Sequence, residues 1–439
     1  MSAQELRNKL KSKTAHIGVV GLGYVGLPLS LTFVERAKFR TTGFDIDEKK
    51  VSSLNAHETY IEYLGAARIK GAMTSGKFDA TTDFDRLSEV DAIVIAVPTP
   101  LTKQREPDMT YVEATVREIA KRLRRDQLVV LESTTYPGTT DELVRDILEE
   151  SDLECGQDFF LAFSPEREDP GNPDYKTATI PKVVGGVDQI ATELAVALYE
   201  PAVTEVVTVS SARAAEATKL TENIFRAVNI ALVNELKVVY DKMGIDVWEV
   251  LDAAATKPFG FMKFSPGPGL GGHCIPLDPF YLTWKAREYG LSTKFIELAG
   301  EVNVSMPAYV INRLQQALNE RERAVRGSRV LILGIAYKKD VDDPRESASF
   351  ELIELLRQAG ARISYHDPHI PTVPRMRSWP DLPELDSQEL SAELLHSQDA
   401  VLIATNHSAV DYDLVLEHSR LVIDTRGVYR GPHEKVVKA

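Results

Sequence analysis

A chain of 439 residues is long enough for roughly two to three domains with sizeable cores, and its 44% hydrophobic and 26% charged content is that of an ordinary globular protein. A net charge of −14 with no long Lys/Arg run repels nucleic acid and anionic membrane surfaces, and no apolar run reaches the length of a membrane span. The two cysteines, Cys155 and Cys274, have no metal-ligand spacing and build no disulfide framework. With a charged N-terminus that lacks an apolar signal segment, a cytoplasmic location without a metal centre is expected.

Residues 1–13 are polar and lysine-rich and read as a frayed or helical lead-in. His16-Ile17-Gly18-Val19-Val20 is a short β-rich apolar run, the pattern of a buried parallel strand. It leads into Gly21-Leu22-Gly23-Tyr24-Val25-Gly26 and an apolar helical stretch from Leu27 to about Arg36. In G-x-G-x-x-G between strand and helix, the first glycine makes the turn and the second admits a pyrophosphate. The third lets helix and strand pack closely, and the helix N-terminus attracts the phosphates. The motif alone is weak, but a second strand, Thr41 to Phe44, ends in Asp45. A carboxylate about twenty residues on accepts ribose hydroxyls and repels the extra phosphate of NADP, so NAD is the expected cofactor.

The alternation continues with a strand over Asp91–Val97, stopped by Pro98-Thr99-Pro100, and a helix near Val112–Leu123. A strand Leu128–Leu131 runs into Glu132-Ser133-Thr134, a helix covers Thr139–Glu149, and Phe159–Phe163 is another strand. Glu166 follows that strand at once. It is either a solvated loop acid or a site residue at the carboxyl end of a buried strand, where doubly wound sheets bind ligands.

From Ser211 to Met243 no Gly or Pro interrupts the apolar helical spacing, and Gly244 ends it. So long a helix is expected to span between domains or to form a subunit interface. Lys219 and Asn223 lie one turn apart on it, either as a surface polar stripe or, set among Leu220, Ile224, Phe225 and Val228, as a pair turned inward. A shorter helix capped by Asp246 leads to Gly267-Pro268-Gly269-Leu270-Gly271-Gly272-His273-Cys274-Ile275-Pro276-Leu277-Asp278-Pro279. Four glycines and three prolines exclude a helix there and shape a loop that can approach a ligand closely. A lone cysteine is more often a small buried residue than a nucleophile. The glycine density, with His273 before it and Asp278 after it, favours a reactive thiol.

A helical segment over Lys294–Arg323 precedes a second α/β unit. Its strands are Arg329–Leu333, Arg362–Tyr365, Ala400–Ala404 and Leu421–Ile423, with a helix from about Ser347 to Ala359. Pro368–Pro383 reads as an irregular surface segment.

Together these residues resemble the UDP-sugar 6-dehydrogenases, over nearly the whole chain. The separated motifs are the Gly21 fingerprint, Glu132-Ser133-Thr134 with Pro137-Gly138, and Ser164-Pro165-Glu166. Lys219-Leu220-Thr221-Glu222-Asn223 with Asn234-Glu235, Gly271-Gly272-His273-Cys274 with Asp278, Lys338-Lys339-Asp340 and Arg345-Glu346-Ser347 complete them. The resemblance implies an α/β fold in three parts: an NAD-binding Rossmann domain (1–210), a helical dimerising and catalytic centre (211–325), and a C-terminal Rossmann-like domain holding the UDP-sugar (326–439). It implies a homodimer or higher homo-oligomer that makes precursors of bacterial-type surface polysaccharides.

The implied chemistry oxidises the sugar C6 alcohol twice with NAD, through a thiohemiacetal and a thioester on Cys274. By the same resemblance Lys219 and Asn223 stabilise the oxyanion, Asp278 and Thr134 handle water and proton, and Glu166 is the base for hydrolysis. Cofactor contacts are implied for Gly21, Gly23, Tyr24, Val25, Gly26, Asp45, Lys50, Pro98, Thr99, Thr134 and Arg345. Substrate contacts are implied for Glu166, Arg167, Lys219, Asn223, Phe264, Gly271, Lys338 and Arg426. Relatives acting on UDP-glucose typically carry Lys where this chain has Leu277, and they lack His273. Ile275-Pro276-Leu277-Asp278-Pro279 and Lys257-Pro258-Phe259-Gly260-Phe261-Met262 look like the N-acetylhexosamine branch, nearest the UDP-N-acetylglucosamine type. The rivals are UDP-N-acetylmannosamine or UDP-glucose as substrate. A silent nucleotide-sugar binder is a further rival, but one that should have lost Cys274, Lys219 or Asp278.

Overall fold

The computed structural model describes residues 3–61, 64–102, 104–167, 177–272, 275, 277–374, 376, 379–380, 382 and 384–439. The chain forms two compact units, Met1–Glu222 with Phe280–Leu291, and Asn223–Pro279 with Ser292–Ala439. The division falls inside one helix, Ala212–Met243.

The first unit is built on eight strands: β1 (His16–Val20), β2 (Arg40–Phe44), β3 (Phe78–Thr81), β4 (Ala92–Ile95), β5 (Leu128–Leu131), β6 (Phe160–Phe163), β7 (Lys182–Gly186) and β8 (Val206–Thr208). Their order is β3-β2-β1-β4-β5-β6-β7-β8. Every pair through β6 is parallel, β7 runs antiparallel to β6, and β8 parallel to β7. β1, β4, β5 and β6 are buried at every residue, as a sheet covered on both faces requires. Leu6 and Leu10 of the N-terminal helix Ala3–Lys11 pack into this core beside Leu194 and Leu198 of the helix Gln189–Tyr199. Asp91, one residue before β4, ties the N-terminal helix to the sheet. It accepts from Lys9 Nζ at 2.9 Å, Arg124 Nη2 at 3.0 Å and the His16 amide at 3.0 Å. Burial opposes its charge, yet these donors hold its carboxyl below the ordinary range.

The register decides where ligands can bind. Val20 pairs with Phe44 and Ile95, Ile95 with Leu131, and Leu131 with Phe163, so these strands end level. Gly21, Asp45, Ala96, Glu132 and Ser164 therefore leave one carboxyl edge, and the strand order reverses between β1 and β4.

The second unit holds a parallel five-stranded sheet: β9 (Arg329–Leu333), β10 (Arg362–His366), β11 (Ala400–Ile403), β12 (Val422–Asp424) and β13 (Val436–Lys438), in the order β10-β9-β11-β12-β13. Ser347 caps the helix Ala348–Gln358 by accepting from the Ser349 amide, and Phe350, Ile353 and Leu356 turn onto the sheet core. Asp246 accepts from the Trp248 and Glu249 amides, capping the helix Val247–Ala254 as expected. The long helix has 32 residues, about 48 Å at 1.5 Å per residue. It stops at Gly244, which takes the left-handed φ of 71°.

Some expected boundaries shift. The strand expected over 91–97 is Ala92–Ile95, with single ladder bonds continuing at either end, from Asp91 N to His16 O at 2.7 Å and from Ala96 N to Val20 O at 2.8 Å. The helix expected over 139–149 opens as a wide turn, Thr139–Val144, before Arg145–Glu149. The helix from Lys294 stops at Asn319 rather than near 323. Strands β3, β7, β8 and β13 are unannounced in the sequence. Three of them have only three or four residues, too few for a periodic signal.

Candidate functional site

At the carboxyl edge of the first unit, the three fingerprint glycines meet three different constraints. A Cβ on Gly21 (φ 94°) would lie 2.6 Å from Ala96 O, and one on Gly26 would lie 1.8 Å from Gly21 O. On Gly23 it would meet nothing within 4 Å. The outer two positions are sterically closed, and the middle one leaves open backbone where a pyrophosphate can approach. Asp45 is buried and joined to this loop, its Oδ2 accepting from Leu22 N at 2.9 Å and from Lys50 Nζ at 3.1 Å. Tyr24 stands exposed, Val25 precedes the helix Gly26–Thr32, and Thr99 O accepts from Tyr281 Oη at 2.6 Å. Pro98 is exposed and Thr134 half-buried. These features fit the NAD expected from the sequence. Gly21, Gly23, Gly26, Asp45 and Lys50 would hold its phosphates and ribose, and the dinucleotide would supply a hydride acceptor.

Beyond β6 the chain places Glu166 among buried charges. Lys219 Nζ donates to Glu166 O at 2.5 Å, and the Glu166 carboxylate accepts from Arg167 N at 2.7 Å and Lys182 Nζ at 3.0 Å. Lys182 opens β7 and is 4% exposed; it also meets Glu132 Oε1 at 3.1 Å. Tyr199 Oη donates to the same Glu132 oxygen, while Glu132 Oε2 is buried with no hydrogen-bond partner among the described residues. Burial pushes the Glu132 carboxyl up, against the pull of Lys182. Burial works against the Lys182 ammonium too, but Glu132 and Glu166 hold its pKa above the ordinary lysine value. Arg167 is engaged by Glu222 at 2.7 Å and by Pro181 O at 2.8 Å.

In the second unit Asn223 is buried and donates to Asp278 Oδ2 at 2.5 Å. Asp278 opens the helix Asp278–Glu288, directly after the glycine-rich loop. That loop is gripped at its start. Gly267 N donates to Asn234 Oδ1 at 3.0 Å, and Lys237 Nζ donates to Gly267 O at 3.0 Å. Asn234 is itself fixed by Asn303 at 2.9 Å. Arg426 lies against Gly267, so that a Cβ there would come 2.5 Å from Nη1, and its Nε donates to Ala404 O at 2.7 Å. Tyr337 packs on Gly271 and Gly272, where a Cβ would meet its side chain at 3.0 and 3.1 Å. Burial lowers Lys237 to about 7 and Arg426 to about 10.

Of the other expected site residues, Phe264 is half-buried with its ring centroid 5.8 Å from that of Phe225. Lys338 is half-buried, and Arg345 is paired with Asp343 through Nε at 2.8 Å and Nη2 at 2.5 Å. His273, Cys274 and Pro276 lie outside the described residues. Asp340, His369 and His407 could together face a cation. His407 has no ring nitrogen to spare, since Nδ1 accepts from Asp340 N and Nε2 is paired with Asp367.

Lys182, Tyr199 and Lys237 are not among the residues expected from the sequence. Lys237 could have been found, because Glu216, Lys219, Asn223, Asn234 and Lys237 form a buried polar stripe at helical spacing. Lys182 carries no such signal; its partners are 16 and 50 residues away.

Three segments match the UDP-glucose/GDP-mannose dehydrogenase family: its NAD binding domain at residues 15–203, its central domain at 213–305 and its UDP binding domain at 331–431. The chain is 35% identical to the UDP-N-acetyl-D-glucosamine 6-dehydrogenase of Pseudomonas aeruginosa, over 90% of this chain and 91% of that protein. It is 36% identical to the NDP-N-acetyl-D-galactosaminuronic acid dehydrogenase of Ralstonia solanacearum, over 94% and 96%. Among solved structures, the UDP-D-ManNAc dehydrogenase of Pyrococcus horikoshii superposes with a TM-score of 0.87 at 30% identity, covering 96% of this chain and 98% of that one. Among the described residues no helix is long and apolar enough to cross a membrane. The chain belongs to the UDP-glucose/GDP-mannose dehydrogenase family and is an NAD-dependent UDP-sugar dehydrogenase.

Proposed function

We propose that the enzyme oxidises the C6 alcohol of UDP-N-acetyl-D-glucosamine to the carboxylate through a covalent intermediate on Cys274, in the cytoplasm, for surface polysaccharide precursors. The observation that carries this reading is the buried hydrogen bond from Asn223 to Asp278, four residues beyond Cys274. Asn223 has a second amide N–H to offer a developing oxyanion, and the Asp278 carboxylate can accept a proton from water.

In the balanced reaction one alcohol, two NAD and one water give one carboxylate, two NADH and three protons. NAD, when bound, would supply the acceptor for both hydrides. After the first oxidation the Cys274 thiolate adds to the C6 aldehyde, and Lys219 and Asn223 donate to the resulting oxygen. The second oxidation leaves a thioester, and Thr134 with Asp278 positions the water that attacks it. Glu166 takes a proton from that water, and the Cys274 thiolate leaves. Gly271, Arg426, Phe264, Arg167 and Lys338 would bind the nucleotide sugar, and Arg345 would reach the cofactor.

Leu277 and the segment Phe259–Met262 support an N-acetylhexosamine, whose C2 amide brings one donor and one acceptor. A site with polar partners for that amide discriminates by roughly 10⁴-fold, whereas apolar bulk alone gives about 10²-fold. The test is a side-by-side initial-rate panel of UDP-sugars with NAD. UDP-N-acetylglucosamine should give the highest kcat/KM, its C4 epimer less and UDP-glucose least. UDP-glucose or UDP-N-acetylmannosamine as the best substrate would overturn the sugar assignment.

The reading includes a homodimer. Phe225, Leu232 and Val239 recur every seventh residue on the long helix at 49%, 51% and 45% exposure. Phe295, Leu298 and Val304 of the helix Lys294–Asn319 are more exposed still. Apolar side chains at this spacing suit a helix face covered by a second copy.

A further inference from the structure

We infer that Lys182 is a positioning residue for Glu166: one buried ammonium, shared with Glu132, holds the Glu166 carboxylate in the orientation from which it takes a proton from water. The inference rests on the reading of Glu166 as the base of thioester hydrolysis. It adds a residue that lies outside the sequence motifs of that chemistry and whose partners are Glu166, Glu132 and the Tyr199 ring.

The geometry leaves Lys182 little choice. At 4% exposure its ammonium needs anionic partners, and it finds Glu166 Oε2 at 3.0 Å and Glu132 Oε1 at 3.1 Å. The ring of Tyr199 covers it, with Nζ 5.2 Å from the centroid, and the Tyr199 hydroxyl donates to Glu132. Glu132 is thus held from two sides, which fixes the anchor from which Lys182 reaches Glu166. The other end of Glu166 is fixed as well, since its carbonyl accepts from Lys219. A base set between a fixed backbone and a fixed ammonium keeps one orientation through the cycle.

Among the described residues Glu132 Oε2 has no hydrogen-bond partner although it is buried. Two carboxylates around one lysine leave a net negative charge in a buried site, and burial drives the Glu132 carboxyl upward. Glu132 is therefore the member that gives way, and the ammonium favours the ionised form of Glu166. Without Lys182, Glu166 would pick up a proton more easily and turn more freely.

Replacing Lys182 alone strands a buried carboxylate and can unfold this part of the sheet, so the test uses Lys182→Met with Glu132→Gln, which removes both charges together. Rapid-quench single turnovers with NAD and the best sugar of the panel would follow NADH and acid separately. The double variant should release the first NADH at the wild-type rate but form acid about 10²-fold more slowly. The acid limb of acid formation should move up by about one to three pH units. Lys182→Arg should restore part of the rate. In a Glu166→Gln background the two substitutions should cost nothing further.

Acid formation by the double variant at wild-type rate and with an unmoved acid limb would overturn the inference. A further loss in the Glu166→Gln background would do so too, by showing that Lys182 acts elsewhere. If Glu166→Gln alone leaves acid formation unchanged, it is the role of Glu166 that fails, and the two failures are told apart.

Discussion

Lys237 shows how far one side chain can be pushed by its surroundings. It is buried on the long helix, donates to Gly267 O and lies 5.4 Å from the Tyr309 ring centroid. Burial is the main cause that lowers it to about 7; Arg426 adds to the effect, and Asp241 and Asp424 oppose it. Asp241 is itself engaged by Tyr309 at 3.0 Å and Arg313 at 3.2 Å. The folded state then binds fewer protons than the unfolded chain between pH 7 and the ordinary lysine value near about 10.4, so stability rises with pH across that window. Lys237→Met removes the effect. The thermal midpoint of the variant minus that of the wild type should be most positive near pH 7 and fall steadily towards pH 10. A difference that stays flat across this range would mean that Lys237 is not held neutral by burial. Legibility at this scale follows the range of the constraint. The needs of Gly21, Gly23 and Gly26 are local to one turn and can be read from spacing. The inward turn of Lys219 and Asn223 was one of two open readings, settled by the burial of both. Lys182 is invisible in sequence, because the loop after β6 and the whole of β5 must be in place before its partners meet.

The elements were legible wherever a residue type fixes a boundary. Asp246 and Ser347 cap their helices, and Gly244 ends the long one. Boundaries slipped by a residue or two where no residue type marks the end, as at Asp91, whose amide still donates to His16 O although the strand begins at Ala92. The exposed apolar stripe of the long helix is the element with most left to explain. Leu232 is 51% exposed and contributes little to the fold of one chain. Leu232→Asp should therefore leave the fold intact and, by placing a charge in a subunit interface, reduce the assembly to monomers. Light scattering should give a multiple of 48.7 kDa for the wild type and 48.7 kDa for the variant. A wild-type monomer, or a variant that still assembles, would contradict the proposed dimer.

At the scale of the whole molecule, the sheet of the first unit presents a nucleotide edge, and the second unit grips a glycine loop from both sides of its backbone. Both features were readable as α/β rhythm and glycine density. The buried polar groups that hold the loop, Asn234, Asn303 and Lys237, were not, since each pairs with residues at least 30 positions away. The loop is proposed to carry a nucleophile, Cys274, which retains the sugar between its two oxidations. A covalently held aldehyde cannot escape, so the first hydride transfer commits the second. The direct measurement is the yield of NADH and of acid per UDP-N-acetylglucosamine consumed, for the wild type and for Cys274→Ala. The account predicts two NADH and one acid per sugar for the wild type, with no free aldehyde, and no acid from the variant. Acid formed by Cys274→Ala at a near wild-type rate would contradict it.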